Sequence, residues 1–412
     1  MRKIQNNVVA GIDIGTTKIA IAVGQFQEGV TQIIALASVP NGGLRKGMIE
    51  DISSVSSSIY KALCQVEEKI GMPIDEIVVG INGHHCSIMT SKGVIAVSRA
   101  DGQISANDAE RVIEAAKTIS LPPNREIIHV LPKRFIIDSQ EDVKDPVGMN
   151  GIRLEVEAHL VGGSTPALRN LEKCLVQAEI PNATYVFNPL ATAKAMLDKK
   201  QKDLGVTLVD IGAVTTGMVV YEEGDLIHAA VLPVGSMHIT NDIAIGLRIP
   251  IDVAEQIKLK YACADPSLTR DGDSINLQEF GESETERISR KYLAEIIEAR
   301  VMEIFSLIKE ELQSAGKDGT LPAGIVYTGC GSQLDGLIDV SKKQLRLPSQ
   351  FARPLIELSS SFDNAENPMY STSIGLMMWG LENFQGKKYT YIDGNVGAIF
   401  DKAKNIFKQF MP

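Results

Sequence analysis

The sequence predicts an α/β protein whose two related lobes grip a polyphosphate between them, and three observations predict it. First, one pattern occurs twice: Val8-Val9-Ala10-Gly11-Ile12-Asp13-Ile14-Gly15-Thr16-Thr17-Lys18 and Val206-Thr207-Leu208-Val209-Asp210-Ile211-Gly212-Ala213-Val214-Thr215. Each reads as a strand entering a tight polar turn, with a second β-branched run behind it. Second, helices alternate with strands after each copy. Residues 52–70 place Val55, Ile59, Leu63, Val66 and Ile70 at helical spacing, and the short apolar strand Ile77-Val78-Val79-Gly80-Ile81 follows. Third, Ile325-Val326-Tyr327-Thr328-Gly329-Cys330-Gly331-Ser332 runs a strand into glycines before a helix, which brings backbone close to a ligand.

The chemistry of the paired turns is that of a phosphate clamp. Glycine lets backbone amides approach an anion, and the threonine hydroxyls add donors. An aspartate just before the turn repels phosphate, so Asp13 and Asp210 suit a hydrated Mg²⁺ instead. One such hairpin alone is an ordinary sheet turn. Two, followed by the glycine turn, form an ordered set.

Between the hairpins the texture changes at residues 84–163. Strand-like stretches at 93–98 and 127–137 bracket a helix at 106–119, and 156–161 closes a small α+β insertion. Helices at 166–179 and 190–199 flank a strand at 185–187. After the second hairpin come a strand at 229–233, helices at 239–245 and 253–261, and a polar loop at 265–282. A long helix is expected at 284–312, carrying Arg287, Arg290, Lys291 and Arg300 on polar faces, and an apolar helix at 371–381.

Composition narrows the functional classes. The chain of 412 residues is 44% hydrophobic and 22% charged, as expected of a globular protein of several domains. A formal net charge of −10 argues against nucleic acid as a partner. Five scattered cysteines without a C-x-x-C pair argue for a reducing compartment and against structural zinc. His84-His85-Cys86 reads as a turn at the insertion boundary rather than a metal site, there being no second ligand cluster nearby. Neither a signal peptide nor an apolar run long enough to span a membrane is expected.

In this order the three motifs resemble the actin, Hsp70 and sugar-kinase ATPase superfamily, and the whole chain resembles the FtsA family of bacterial cell-division proteins, divergent relatives of actin. Gly11-Ile12-Asp13-Ile14-Gly15-Thr16-Thr17-Lys18, Lys144-Asp145-Pro146-Val147-Gly148-Met149, Ala254-Glu255-Gln256-Ile257-Lys258, Tyr327-Thr328-Gly329 and Tyr370-Ser371-Thr372-Ser373-Ile374-Gly375-Leu376 carry the likeness. It implies an actin-like, two-lobed ATPase fold binding ATP and Mg²⁺. Residues 1–83 with 164–199 and 366–384 would form the first lobe, and 84–163 the inserted subdomain. Residues 200–243 with 314–365 would form the second lobe, and 244–313 a partner-binding helical subdomain.

By the same resemblance, Gly15, Thr16, Thr17 and Lys18 hold the β- and γ-phosphates and Gly212 and Thr215 oppose them. Asp13 and Asp210, the candidate catalytic acids, sit on the Mg²⁺ shell through water. Glu255 and Lys258 lie near the ribose or adenine, a solvated helix face being the alternative for both. Gly329, Gly331 and Ser332 lie under the adenosine. Arg300 receives the acidic C-terminal peptide of the tubulin-like protein FtsZ.

Two departures bear on activity. Ala213 and Val214 replace glycines of the usual second motif, Gly217 stands where a second acid is usual, and Cys330 replaces a glycine of the third motif. Side chains at 213 and 214 narrow the approach to phosphate, and the missing carboxylate removes a metal or water partner. The expectation is a nucleotide holder with weak or absent hydrolysis.

The last segment tells the rest. After a polar linker at 385–394, Val396, Ile399, Phe400, Ile406, Phe407 and Phe410 fall on one face of a helix at 395–412, flanked by lysines. That pattern suits an amphipathic helix lying in an anionic membrane surface. The resulting expectation is a polymerising division scaffold on the cytoplasmic face of the inner membrane at the septum. It would bind FtsZ, copies of itself and, through the insertion, later division proteins. The rival readings are a small-molecule kinase, for which no general base is evident, and an actin-fold pilus-assembly protein. A chaperone ATPase would need a long substrate-binding segment after residue 381.

Overall fold

The computed structural model describes residues 7–27, 29–118, 123–280, 287–356, 363–384 and 392–393. The first hairpin becomes β1 (Val8–Ile14) and β2 (Lys18–Gln27), followed by β3 (Val30–Pro40), the short pair β4 (Leu44–Arg45) and β5 (Met48–Ile49), α1 (Ile52–Ile70) and β6 (Glu76–Ile81). The insertion contributes β7 (Ser87–Ala96), α2 (Ala106–Ala116), β8 (Arg125–Ile137), β9 (Gln140–Val143) and β10 (Arg153–Ser164). Then come α3 (Thr165–Gln177), β11 (Thr184–Phe187), α4 (Asn188–Met196) and α5 (Lys199–Leu204). The second hairpin is β12 (Val206–Ile211) and β13 (Thr216–Glu222), followed by β14 (Asp225–Leu232), α6 (Ser236–Leu247), α7 (Ile251–Tyr261), β15 (Ser274–Asn276) and β16 (Arg287–Ser289). The chain continues through α8 (Arg290–Ser314), β17 (Gly324–Thr328), α9 (Leu337–Leu345), β18 (Ser349–Phe351), α10 (Ser371–Phe384) and β19 (Ile392–Asp393).

Contacts divide the chain into two compact units: the insertion, His85–Arg169 with β19, and the body formed by the residues before and after it. The body holds two five-stranded sheets of one plan. Their orders are β3-β2-β1-β6-β11 and β14-β13-β12-β17-β18. In each, three antiparallel strands are followed by two parallel ones. The repeated sequence pattern therefore sits at the same place in both sheets, as the central strand and its neighbour.

The sheets bury what their sequences advertise. Ile12, Ile19 and Ile21 are wholly buried in the first, and α10 packs across β1, β2 and β6. In the second, Val209, Ile211 and Tyr327 join Phe305 and Ile308 of α8 and Ile257 of α7 in one core. In the insertion, Val112, Ile113 and Ala116 of α2 close over Val130, Leu154 and Val156. Ser105 and Asp108 form a capping box that starts α2, each side chain taking the other's backbone amide.

Some boundaries differ from the sequence expectation. The helix expected at 284–312 is α8, which starts at Arg290; of the earlier residues, 284–286 lie outside the described residues. Ser289 caps it by accepting from the Tyr292 amide at 3.4 Å, and Ile288 pairs with Ile275 in a two-stranded ribbon. Arg287 thus lies on β16. The polar loop at 265–282 contains β15, the other half of that ribbon. Residues 84–85 do form a turn, and His85 Nδ1 accepts from the Ser164 amide at 3.4 Å. Among the described residues no cluster of three or more potential ligands could hold a metal, and no helix is long and apolar enough to cross a membrane. The helix at 395–412 and nearly all of the linker at 385–394 lie outside the described residues.

Candidate functional site

The two hairpin tips close with the same bond. Gly15 donates its amide to the Lys18 carbonyl at 3.0 Å, and Gly212 donates to Thr215 at 2.9 Å. A Cβ at Gly15 would stand 2.8 Å from the Lys18 oxygen, and one at Gly212 would stand 2.9 Å from the Thr215 oxygen, so both turns require glycine for close approach. The outward carbonyls are also occupied. Asn41 donates its amide to Thr17 at 2.9 Å and its side-chain Nδ2 to Gly15 at 2.8 Å. On the other tip the first amides of α6 do this work, Ser236 to Gly212 at 2.9 Å and Met237 to Ala213 at 2.7 Å. With the carbonyls turned away, the amides of Thr16, Thr17, Ala213 and Val214 have no partner among the described residues, and all four residues line one cleft. Convergent, unpaired amides are what an anion needs.

Asp13 and Asp210 lie on the floor of that cleft. Asn188, at the start of α4, donates Nδ2 to Asp13 at 2.8 Å, and Thr372, on α10, donates to Asp210 at 3.2 Å. Burial raises the pKa of Asp13, against the pull of the Asn188 bond and the Lys18 charge. Asp210 is pushed up to about 6, by burial first and then by the like charge of Asp13, with Thr372 opposing. Two desolvated carboxylates that repel each other fit a divalent cation between them. A pair of carboxylates suits one held largely through water.

The remaining predicted residues fall in three places. Glu255 and Lys258 of α7 do line the cleft, and the solvated-face alternative fails for Lys258. It is 8% exposed and donates to Glu255 at 2.6 Å and to Thr240 at 2.8 Å. Gly329 lines the cleft too; its φ of +83° and its backbone pressed against the Asp210 carboxylate leave no room for a Cβ. Gly331 and Ser332 do not line the cleft, and Ser332 lines a neighbouring pocket with Tyr327 and Gly336. Gly331 packs on Ile211 and Ser236, while Ser332 is 1% exposed and donates to the Gly329 carbonyl at 2.8 Å. The glycine turn is a short 3-10 helix from Cys330 to Ser332, and α9 begins only at Leu337, after Gly336 at φ +79°. Arg300, outside the cleft, forks onto Asp242 at 2.6 and 2.9 Å and also pairs with Glu303.

Sequence reasoning missed several cleft residues. Asn188 and Thr372 hold the acids, and Asn82 donates to the Thr215 hydroxyl at 3.3 Å. Cys330 Sγ accepts from Lys18 Nζ at 2.8 Å, so the cysteine that replaces a glycine faces the cleft. Thr372 lies in the Tyr370–Leu376 stretch that carries the family likeness, but neither that stretch nor the start of α4 shows by itself which acid it meets.

A duplicated five-stranded sheet with two facing hairpins defines the class: the protein has the actin-like ATPase fold. The family model described as cell division protein FtsA matches residues 207–375, and that described as the SHS2 domain inserted in FTSA matches 83–162. Cell division protein FtsA of Pseudomonas aeruginosa is 35% identical over 384 residues, covering 93% of this chain and 91% of that protein. The chain belongs to the FtsA family of cell-division proteins. Among solved structures, the PilM-PilN type IV pilus biogenesis complex is similar with a TM-score of 0.65 at 16% identity, over 90% of this chain and 98% of that one. MreB5 of Spiroplasma citri bound to ADP is similar with a TM-score of 0.51 at 12% identity, over 92% and 96%. At such identities these two likenesses concern the fold alone.

Proposed function

We propose that this chain is an ATP-binding, polymerising scaffold that tethers FtsZ filaments to the inner face of the cytoplasmic membrane at the division septum and recruits later division proteins. The observation that carries this reading is the pair of hairpins closed by one bond and facing each other above two acids, in a chain of the FtsA family. Gly15, Thr16, Thr17 and Lys18 hold the β- and γ-phosphates from one side, and Gly212 and Thr215 from the other. Asp13 and Asp210 hold Mg²⁺ through water. When bound, the ion neutralises phosphate charge and relieves the repulsion between the acids. Glu255 and Lys258 meet the ribose or adenine, and Gly329 lies under the nucleoside. Gly331 and Ser332 support Gly329.

Hydrolysis is weak or absent. Gly217 faces Asp210 in the β12–β13 register where a second acid would stand, and a Cβ there would already touch Pro189 at 3.1 Å. Asn188 spends its donor on Asp13. No free general base remains among these residues to activate water. The nucleotide then serves as a structural ligand that stabilises one arrangement of the lobes.

Arg300 receives the acidic FtsZ peptide by exchanging Asp242 for a peptide carboxylate, a substitution of one fork for another. The helix at 395–412 lies in the membrane surface. Each lysine adds about 1 kcal/mol at an anionic surface, so one copy binds reversibly and a filament binds by avidity. The test is sedimentation with anionic liposomes in ATP, ADP or no nucleotide, with imaging of the pellets. Nucleotide-dependent filaments on the vesicles are expected. Pellets without filaments, indifferent to nucleotide, would sink the scaffold, and retention after removal of 395–412 would sink the anchor.

A further inference from the structure

Two helices reach the two acids, and a chain of hydroxyls joins them. Asn188, at the start of α4, donates to Asp13 at 2.8 Å. One turn along α4, Thr192 Oγ1 lies 2.9 Å from the Asn188 carbonyl and 2.8 Å from Thr372 Oγ1 on α10. Thr372 in turn donates to Asp210 at 3.2 Å. Thr192 is 0% exposed and Thr372 5%, so water does not stand in for either hydroxyl. Each hydroxyl has a single proton. With Asp210 ionised, Thr372 gives its proton to the carboxylate, and Thr192 shares its own between the Asn188 carbonyl and the Thr372 oxygen.

This chain runs beside a close helix contact. Gly375 of α10 presses on the Ala191 carbonyl of α4, and Gly11 of β1 presses on the Ser373 carbonyl, with no room for a Cβ at either. The helices connect the sheets: α10 lies on β1, β2 and β6, whereas α4 touches β6 and β11 of the first sheet and β12 and β13 of the second. The separation of the acids is therefore set where the helices cross, and the hydroxyl pair is the polar link at that crossing.

We propose that Thr372 and Thr192 are positioning residues that fix the spacing of Asp13 and Asp210 and so couple divalent-cation binding to nucleotide binding. This rests on the nucleotide reading above and goes beyond it. Neither threonine is called upon to touch the nucleotide. Their work is to hold two carboxylates at the separation a hydrated cation bridges.

The experiment titrates a fluorescent ADP analogue into the full chain in EDTA and in Mg²⁺. Wild type gains affinity in Mg²⁺. Thr372→Val loses about tenfold of that gain, the size usual for residues that orient ligating carboxylates, and changes far less in EDTA. Thr372→Ser keeps the hydroxyl and restores the gain. Thr192→Val, which leaves the cleft lining in place, shows a smaller loss of the same kind and carries the test should Thr372→Val not fold. A full Mg²⁺ gain in folded Thr192→Val and Thr372→Val, equal losses in both buffers, or no rescue by serine overturns the inference while leaving nucleotide binding intact. Wild type that binds the analogue in neither buffer overturns the nucleotide reading and this inference with it.

Discussion

The hairpin at Asp13 and the hairpin at Asp210 share a closing bond but differ in what stands behind them. The first tip leans on a single residue, Asn41, through its backbone and side chain. The second is docked on the N-terminus of α6, whose first amides take its carbonyls. That docking explains how Ala213 and Val214 are tolerated in place of glycines. The close approach has moved to Gly235, where a Cβ would stand 2.7 Å from the Ala213 and Gly212 carbonyls. The acids differ as well: Asn188 holds Asp13 with an amide, Thr372 holds Asp210 with a hydroxyl, and Asp210 is the one pushed up to about 6. A repeat can keep its backbone while each copy recruits its own support.

The largest effects should come from breaking the shared bond. Gly15→Val or Gly212→Val places a side chain against the carbonyl that closes the turn, and losing one amide bond to a charged phosphate there costs about tenfold to hundredfold in nucleotide affinity. Titration with a fluorescent ATP analogue measures it. Equal loss at both tips is expected, and a mild effect at either would mean that its amides do not carry phosphate.

Next comes charge. Asp210 binds its proton more tightly in the folded chain than in the unfolded one, so ionising it costs stability as pH rises from about 4 through 6. A shift from 3.8 to about 6 corresponds to about 3 kcal/mol at most. In metal-free buffer Asp210→Asn should therefore melt higher than wild type above pH 6, with the gain fading below pH 4. Thermal scans across pH decide it, and a gain that persists at low pH would assign the effect to packing.

A milder perturbation uses Cys330, which is exposed while the other four cysteines are buried or half-buried. Maleimide labelling should fall mainly on Cys330 and slow when ATP is added, because the thiol lines the cleft. Mass spectrometry of the labelled chain reads it, and labelling indifferent to ATP would place the nucleotide elsewhere. The smallest effect is Asn82→Ala. Losing the 3.3 Å bond to Thr215 should cost about 1 kcal/mol or less of stability in denaturant unfolding.

How far each part could be read follows from the range of the forces involved. Strands, turns and the glycine requirement are local: β-branched runs flanking a polar tip marked β1, β2, β12 and β13 from pattern alone. The start of α8 was misplaced because a serine cap and a strand pair outweighed helical periodicity around Ile288. For Lys258 a solvated helix face stood as the alternative to a place near the nucleotide, since burial depends on how α6 and α7 pack. Arg300 was expected on a polar face to receive an acidic peptide, and nothing local reveals its ion pair with Asp242, 58 residues earlier.

What the sequence determined by itself is the duplicated phosphate-type hairpin, the insertion between its copies, the altered second tip and the family. Each is written in short-range pattern or in residue identity. Only the tertiary structure decided what holds the acids. Asn188 lies 175 residues from Asp13, and Thr372 lies 162 residues from Asp210. Those pairs meet because α4 and α10 cross at Gly375 with no side chain between them, and a helix crossing is set by packing across the whole core rather than by any one segment.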